Sequence, residues 1–437
     1  MTGLLRTKTL DSATSKEVLK KRWPSTRRYD PELADYVKII VEAVEKQGDT
    51  ALIDYTSKFD KVRLSPSNLR VTREETESAY SRVGKEQISA VKFAKSRIEA
   101  LEKNLLARLS FECQSEGIRV QSFFSPIRSV GCYVPGGEAA YPSTLLMTAV
   151  PAKMAGVPRI VVCSPPRSGG EINPLTLVTA DICGVDEIYK IGGAQAVAAL
   201  AYGTETIRPV EKIVGPGNRY VLAAKAFVCK DVPIDLPAGP SEIVILADES
   251  ADPRIVALDM ISQVEHGTDA VSILVTDSTT LAEAVGKEFE KVITLVPSRE
   301  SVVRRSSANS LILTCDDMEK AVAFANEFAP EHLEVIAEDA SAIAKKVTSA
   351  GLVLIGKYSP VSASDYCLGT NHVLPTGGYG HVFSGLSVLN FLKRVNLVEC
   401  SESGLARVRE SVEILSRSEG LLNHGLAVEE RFKRDRL

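Results

Sequence analysis

Short apolar runs alternate with helical stripes through the middle of this 437-residue chain. SVGCYV, RIVVCS, EIYKIG and KIVG, between residues 129 and 215, read as strands. STLLMTAVPAKMAG, LTLVTADICG, AQAVAALAYG and RYVLAAKAFVC follow them in turn and read as helices. Such alternation means βα units and a parallel sheet. A second set of strands is predicted at 242–247, 271–276, 310–315, 333–337 and 352–356, with helices between several of them. One of these helices, DDMEKAVAFANEFA, starts near Asp316 with Glu319 three residues on, the pattern of a capping box. Upstream, residues 31–59 predict two helices and residues 73–105 further helix. Residues 1–29 are polar and predict an arm or small helix that must pack on something else. The tail from 387 predicts mainly helix and is too small to bury a core alone.

The expected architecture is α/β, with two Rossmann-like domains whose doubly wound sheets are incomplete and small, mainly helical segments at both ends. Residues 30–132 and 241–386 form the first domain, 133–240 an inserted second one, 1–29 the arm and 387–437 the tail. Hydrophobic residues make up 44% of the chain and charged ones 25%, an ordinary globular profile. A net charge of −4 gives no reason to expect nucleic acid or an anionic membrane as partner. No apolar run approaches a membrane span, and the N-terminus lacks a signal-peptide core. None of the eight cysteines forms a C-x-x-C pair, which excludes the usual cysteine-based zinc patterns. Free buried thiols in a reducing, cytoplasmic compartment are the simplest reading.

Histidine is scarce, at 266, 332, 372, 381 and 424 only. Asp252 is a natural N-cap, Pro253 suits the first helical position, and Ala257, Met260, Ile261 and Val264 form an apolar stripe. Gly267 is placed to end that helix. Gln263 and His266 lie one turn apart, off the stripe, on a helix apolar enough to be buried. APEHLEV puts Glu331 and His332 side by side in the loop before a strand, where carboxylate and imidazole can serve as two bases. The irregular stretch 362–380 carries Asp365 and His372. His381 reads as a surface histidine, and SEGLLNHG brings Glu419 and His424 near the C-terminus. Gln263, His266, Asp365 and His424 would suit zinc, but spacing alone does not select that set from the small pool. GGAQAV and GPGN are Gly-rich strand-to-helix turns fit for a nucleotide crevice, though neither has the G-x-G-x-x-G spacing.

YVPGG, GGAQAVAALAYGTE, KIVGPGNRYV, AGPSE, SQVEHG, APEHLE, SDYCLGTNHVLPTGG, SGLSV and EGLLNH span residues 133–424. In sequence and order they closely resemble histidinol dehydrogenase. The resemblance implies an enzyme with one Zn2+ per subunit and NAD+, oxidising L-histidinol to L-histidine through the aldehyde, the last step of histidine biosynthesis. It also implies a homodimer with intertwined ends, in which His424 and Glu419 act in trans. Carried over by motif, Gln263, His266, Asp365 and His424 would hold zinc, and Glu331 and His332 would be the catalytic bases. Ser241, His372 and Glu419 would contact substrate, together with Gln263, His266, His332, Asp365 and His424. Tyr133, Gln195 and Asn218 would contact NAD. Val264 and Thr268 depart from the commonest family residues at positions that supply no ligand. Three other readings compete: a relative acting on another amino alcohol or diol, a zinc hydrolase using Glu331 on water, and a small-ligand binding protein.

Overall fold

The computed structural model describes residues 4–27, 31–137, 140–236 and 239–433. Ala238, which opens the AGPSE motif, lies outside them, as do the first three residues of the arm and the last four of the tail. The chain begins with β1 (Arg6–Thr9), α1 (Ser12–Arg27), α2 (Pro31–Gln47), α3 (Asp49–Asp60), α4 (Arg73–Tyr80) and α5 (Lys85–Leu106). Then come β2 (Phe111–Ser115), β3 (Ile118–Pro126), β4 (Ser129–Tyr133), α6 (Pro142–Ala155), β5 (Arg159–Cys163), α7 (Pro174–Cys183), β6 (Glu187–Tyr189), α8 (Gly193–Tyr202), β7 (Ile213–Val214) and α9 (Arg219–Val228). The next stretch holds β8 (Glu242–Ala247), α10 (Pro253–Val264), β9 (Val271–Thr276), α11 (Thr279–Val292), α12 (Pro297–Ser306), β10 (Leu311–Thr314), α13 (Met318–Phe328), β11 (His332–Ile336), α14 (Ala340–Ala344), β12 (Leu352–Ile355) and α15 (Val361–Ser364). The chain closes with β13 (Leu392–Cys400), α16 (Glu402–Ser418) and α17 (Leu422–Glu429).

Two compact units result: Met1–Glu102 with Arg128–Phe391, and Lys103–Ile127 with Leu392–Leu437. The first unit holds two wholly parallel sheets. One runs β6-β5-β4-β7 and the other β1-β10-β9-β8-β11-β12. Counted along the chain from β4 and from β8, with β1 left aside, both contain the order 3-2-1-4, so each has a topological switch point, beside β4 and beside β8. Apart from the polar edge strand β1, their strands are largely apolar on both faces because helices cover both faces. In the six-stranded sheet, α10, α11 and α15 pack on one side and α1, α13 and α14 on the other.

The arm finds its support in its own chain: β1 pairs in parallel with β10, and Val18 and Leu19 of α1 join the core beneath. The cap of α13 is Asp317, whose side chain accepts from Lys320 N–H, rather than Asp316. Its immediate neighbour has the geometry that spacing cannot distinguish.

The second unit contains what the hydrophobic pattern did not predict. β13, nine residues long, opens the tail expected to be mainly helical, and it pairs antiparallel with β3, which pairs with β2. All of β2 and most of β13 is exposed, so no apolar alternation marks them.

Candidate active site

α10 starts as its sequence predicts: Asp252 accepts from Arg254 N–H, and Pro253 occupies the first turn. It ends earlier than Gly267, however. Glu265 and His266 leave the helix through a tightened last turn, with His266 N–H donating to Gln263 C=O at 3.3 Å. Gly267 has no left-handed φ and closes nothing. Gln263 is 1% exposed and its side-chain oxygen has no hydrogen-bond partner. His266 is exposed, while the surrounding protein still lowers its pKa by desolvation.

Glu331 and His332 stand at the amino end of β11, at the switch point beside β8. This is the opposite edge from the carboxyl ends where open α/β sheets usually bind ligands. The Glu331 carboxylate accepts from Glu242 N–H at 2.9 Å and lies 3.8 Å from His332 Nδ1. His332 Nε2 lies 3.7 Å from an oxygen of Asp365, the residue that ends α15. Among the described residues neither ring nitrogen of His332 has a hydrogen-bond partner. Burial pushes the His332 pKa down to about 3, with His372 and His266 adding to the shift, so the imidazole is neutral at neutral pH. Burial likewise raises Asp365 to about 7 and lowers His372 to about 4. His372 Nδ1–H donates to the Asp365 backbone carbonyl at 2.8 Å, which fixes the ring and leaves Nε2 facing elsewhere as an acceptor. Ser241 immediately precedes β8 and is half-buried. His381 is exposed and outside this group.

The first unit therefore brings together Glu331, His332, Asp365 and His372, with His266 close enough to shift two of the imidazoles. Glu419 and His424 belong to the second unit, both exposed, at the end of α16 and within α17. Among the described residues no three His, Cys, Asp or Glu side chains form a group that could hold a metal ion. The first unit offers His266, Asp365 and the amide of Gln263.

The Gly-rich turns sit at the other sheet, at the carboxyl ends of β4, β6 and β7. The Tyr133 hydroxyl accepts from Gly193 N–H at 3.1 Å, tying the first turn to the second. Gly215 adopts φ +112°, and a Cβ there would stand 2.1 Å from the Tyr133 carbonyl oxygen. Buried Lys225 and Asp235 clamp this turn, one donating to Gly215 C=O and the other accepting from Gly215 N–H. Asn218 caps α9 through its side-chain oxygen, leaving its amide N–H2 for any ligand. Gln195 is 1% exposed, and both its amide atoms lack partners.

Three buried acids in the elements around this group escaped the sequence reading: Glu242, Glu334 and Asp259. The available signal was an acidic residue within an otherwise apolar strand or helix, as in EIVILA, HLEVI and VALDMI.

With this geometry in place, similarity to known proteins decides the family. The histidinol dehydrogenase family model matches residues 25–432. The chain belongs to the histidinol dehydrogenase family. It is 45% identical over 402 residues to the histidinol dehydrogenase of Methanosarcina barkeri, covering 92% of both chains. It is 44% identical over 392 residues to that of Synechococcus sp., covering 90% of both. The crystal structure of histidinol dehydrogenase from Elizabethkingia anophelis superposes with a TM-score of 0.94 at 37% identity, covering 99% of each chain. Family membership makes the chain an oxidoreductase. Among the described residues no helix is long and apolar enough to cross a membrane, and all eight cysteines are free.

Proposed function

We propose that the chain catalyses the zinc-dependent, NAD-linked, four-electron oxidation of L-histidinol to L-histidine through L-histidinaldehyde, the last step of histidine biosynthesis. The observation that carries this reading is the buried Glu331–His332 pair held beside Asp365 in a member of this family.

The residues present fit both groups. Gln263 presents an orphaned buried oxygen, and with His266 and Asp365 makes the mixed nitrogen and oxygen donor set that zinc accepts. His424 would complete it from the partner of a homodimer. For the dinucleotide, the switch point between β4 and β7 offers the orphaned Gln195 amide and the outward amide N–H2 of Asn218. When bound, zinc would supply a template and Lewis acid for the substrate's nitrogens, and NAD a hydride acceptor for each oxidation.

The chain's own residues move the protons. His332, neutral because it is buried, takes the alcohol proton in the first oxidation. The carboxylates of Glu331 and Asp365 flank the imidazolium that results. Glu331, oriented by Glu242 N–H, takes a proton from the water that adds to the aldehyde carbon, while the imidazolium of His332 returns its proton to the aldehyde oxygen and is neutral again. His332 then takes a hydroxyl proton of the hydrated aldehyde in the second oxidation. Ser241 and His372, with Glu419 of the other subunit, hold the substrate.

A dimer is supported by the second unit's surface. Leu397, Val398, Ile414, Leu415, Leu421, Leu422 and Leu426 are all exposed there, surrounding Glu419 and His424 in sequence with apolar groups that call for cover.

The zinc assignment has a direct test. His266→Ala should be isolated without zinc and without activity, as read by metal analysis of the purified protein. Zinc held at full stoichiometry removes His266 from the site. A hydrolase built on the same residues would instead cleave its substrate without reducing NAD, and a binding protein would turn nothing over.

A further inference from the structure

α6, the helix that follows β4 and the Tyr133 turn, carries a proline in its interior, Pro151. A proline has no N–H, so the carbonyl four residues back loses its helical partner. That carbonyl belongs to Met147, which is fully buried. A buried C=O without a donor is costly, and this one has found a donor far along the chain. The side-chain amide of Asn371 donates to it at 2.7 Å. Asn371 is itself 8% exposed, so the bond is shielded from water. Its amide oxygen accepts from Val373 N–H at 2.9 Å, an Asx turn that wraps around His372. The His372 ring is held in turn by the Asp365 carbonyl. Residues 371–376 belong to no helix or strand, so bonds of this kind set their place.

We propose that Asn371 is a positioning residue: it anchors the turn that presents His372 to the carbonyl that Pro151 leaves open on α6. The substrate-holding ring is thereby fixed to the helix that leads out of the dinucleotide turn at Tyr133. This rests on the reading above, in which His372 holds the substrate. The chemistry of the side chain fits the task. An amide both accepts and donates, so one residue closes the turn and reaches Met147. Aspartate would close the turn but set a second oxygen against the Met147 carbonyl. Serine would close it and fall short of α6.

Asn371→Ala removes both bonds. kcat/KM for histidinol should fall about 10²-fold, the effect of a misplacement of about 1 Å, mostly through a higher KM for histidinol. A loss that acts through His372 must vanish once that ring is gone. In a His372→Ala background, adding Asn371→Ala should therefore change kcat/KM by no more than about 2-fold. Backbone amide exchange through residues 371–373, followed by mass spectrometry, should quicken in Asn371→Ala. If that variant fails to fold, Asn371→Ser breaks the bond to Met147 alone and gives the same kinetic comparison. Two losses that multiply in full would overturn the proposal, as would unchanged kinetics in the single variant. A wild type that does not oxidise histidinol would instead sink the reading above. The exchange comparison then decides the anchor by itself: slow exchange in Asn371→Ala overturns it, and fast exchange upholds it.

Discussion

Replacing His332 by alanine is expected to cost both oxidations, each by about 10²–10⁴ in rate, the usual contribution of a positioned base. The imidazole is 3% exposed, neutral, and without a hydrogen bond among the described residues, so both nitrogens are available to a substrate. Glu331→Gln should behave differently. Its carboxylate is oriented by Glu242 N–H, 3.8 Å from the imidazole, and water activation is needed only after the first hydride has left. The glutamine variant should keep alcohol oxidation and lose most of the aldehyde step. Supplying the aldehyde directly isolates that step. A variant that oxidises aldehyde normally but fails on alcohol would reverse the two roles.

The second large effect concerns the tail. Glu419 and His424 lie in a unit of their own with exposed apolar neighbours, and the zinc donors proposed for the first unit, Gln263, His266 and Asp365, are one short of four. If His424 acts in trans, two inactive variants, His424→Ala and His332→Ala, should rescue one another when unfolded together and refolded. In a mixed dimer one site collects both defects and the other none. Under random pairing half the dimers are mixed, so about a quarter of all sites should regain activity by symmetry. If His424 acts in cis, every site keeps a defect. Mixed dimers, demonstrated by differential tagging, that show no activity would rule out the trans arrangement.

The α/β core was legible because both sheets are parallel and covered on both sides. Strands such as EIVILA and VSILVT are then continuous apolar runs, and only helices can connect them. Strand order was not legible, since register depends on contacts between distant segments. β2, β3 and β13 left little trace because so much of them faces solvent. At the site, His332 and Asp365 stood out as chemistry-bearing residues in loops, and motif resemblance gathered them with Gln263 and His266. Glu334 and Asp259 did not stand out. Both are buried acids, on a strand and a helix 75 residues apart, and their burial comes from tertiary packing that no local pattern encodes. That the arm must pack on something else was legible, but not on what: RTKT is polar, yet as an edge strand it needs only backbone partners, and β10 provides them.

One site, built on Glu331 and His332, is proposed to carry out both oxidations with zinc and NAD. Counting NADH and histidine formed per histidinol consumed tests it most directly. Two NADH and one histidine per histidinol are expected, with turnover lost on chelation and restored by zinc. One NADH with free aldehyde accumulating, or full turnover in metal-stripped protein, would contradict it.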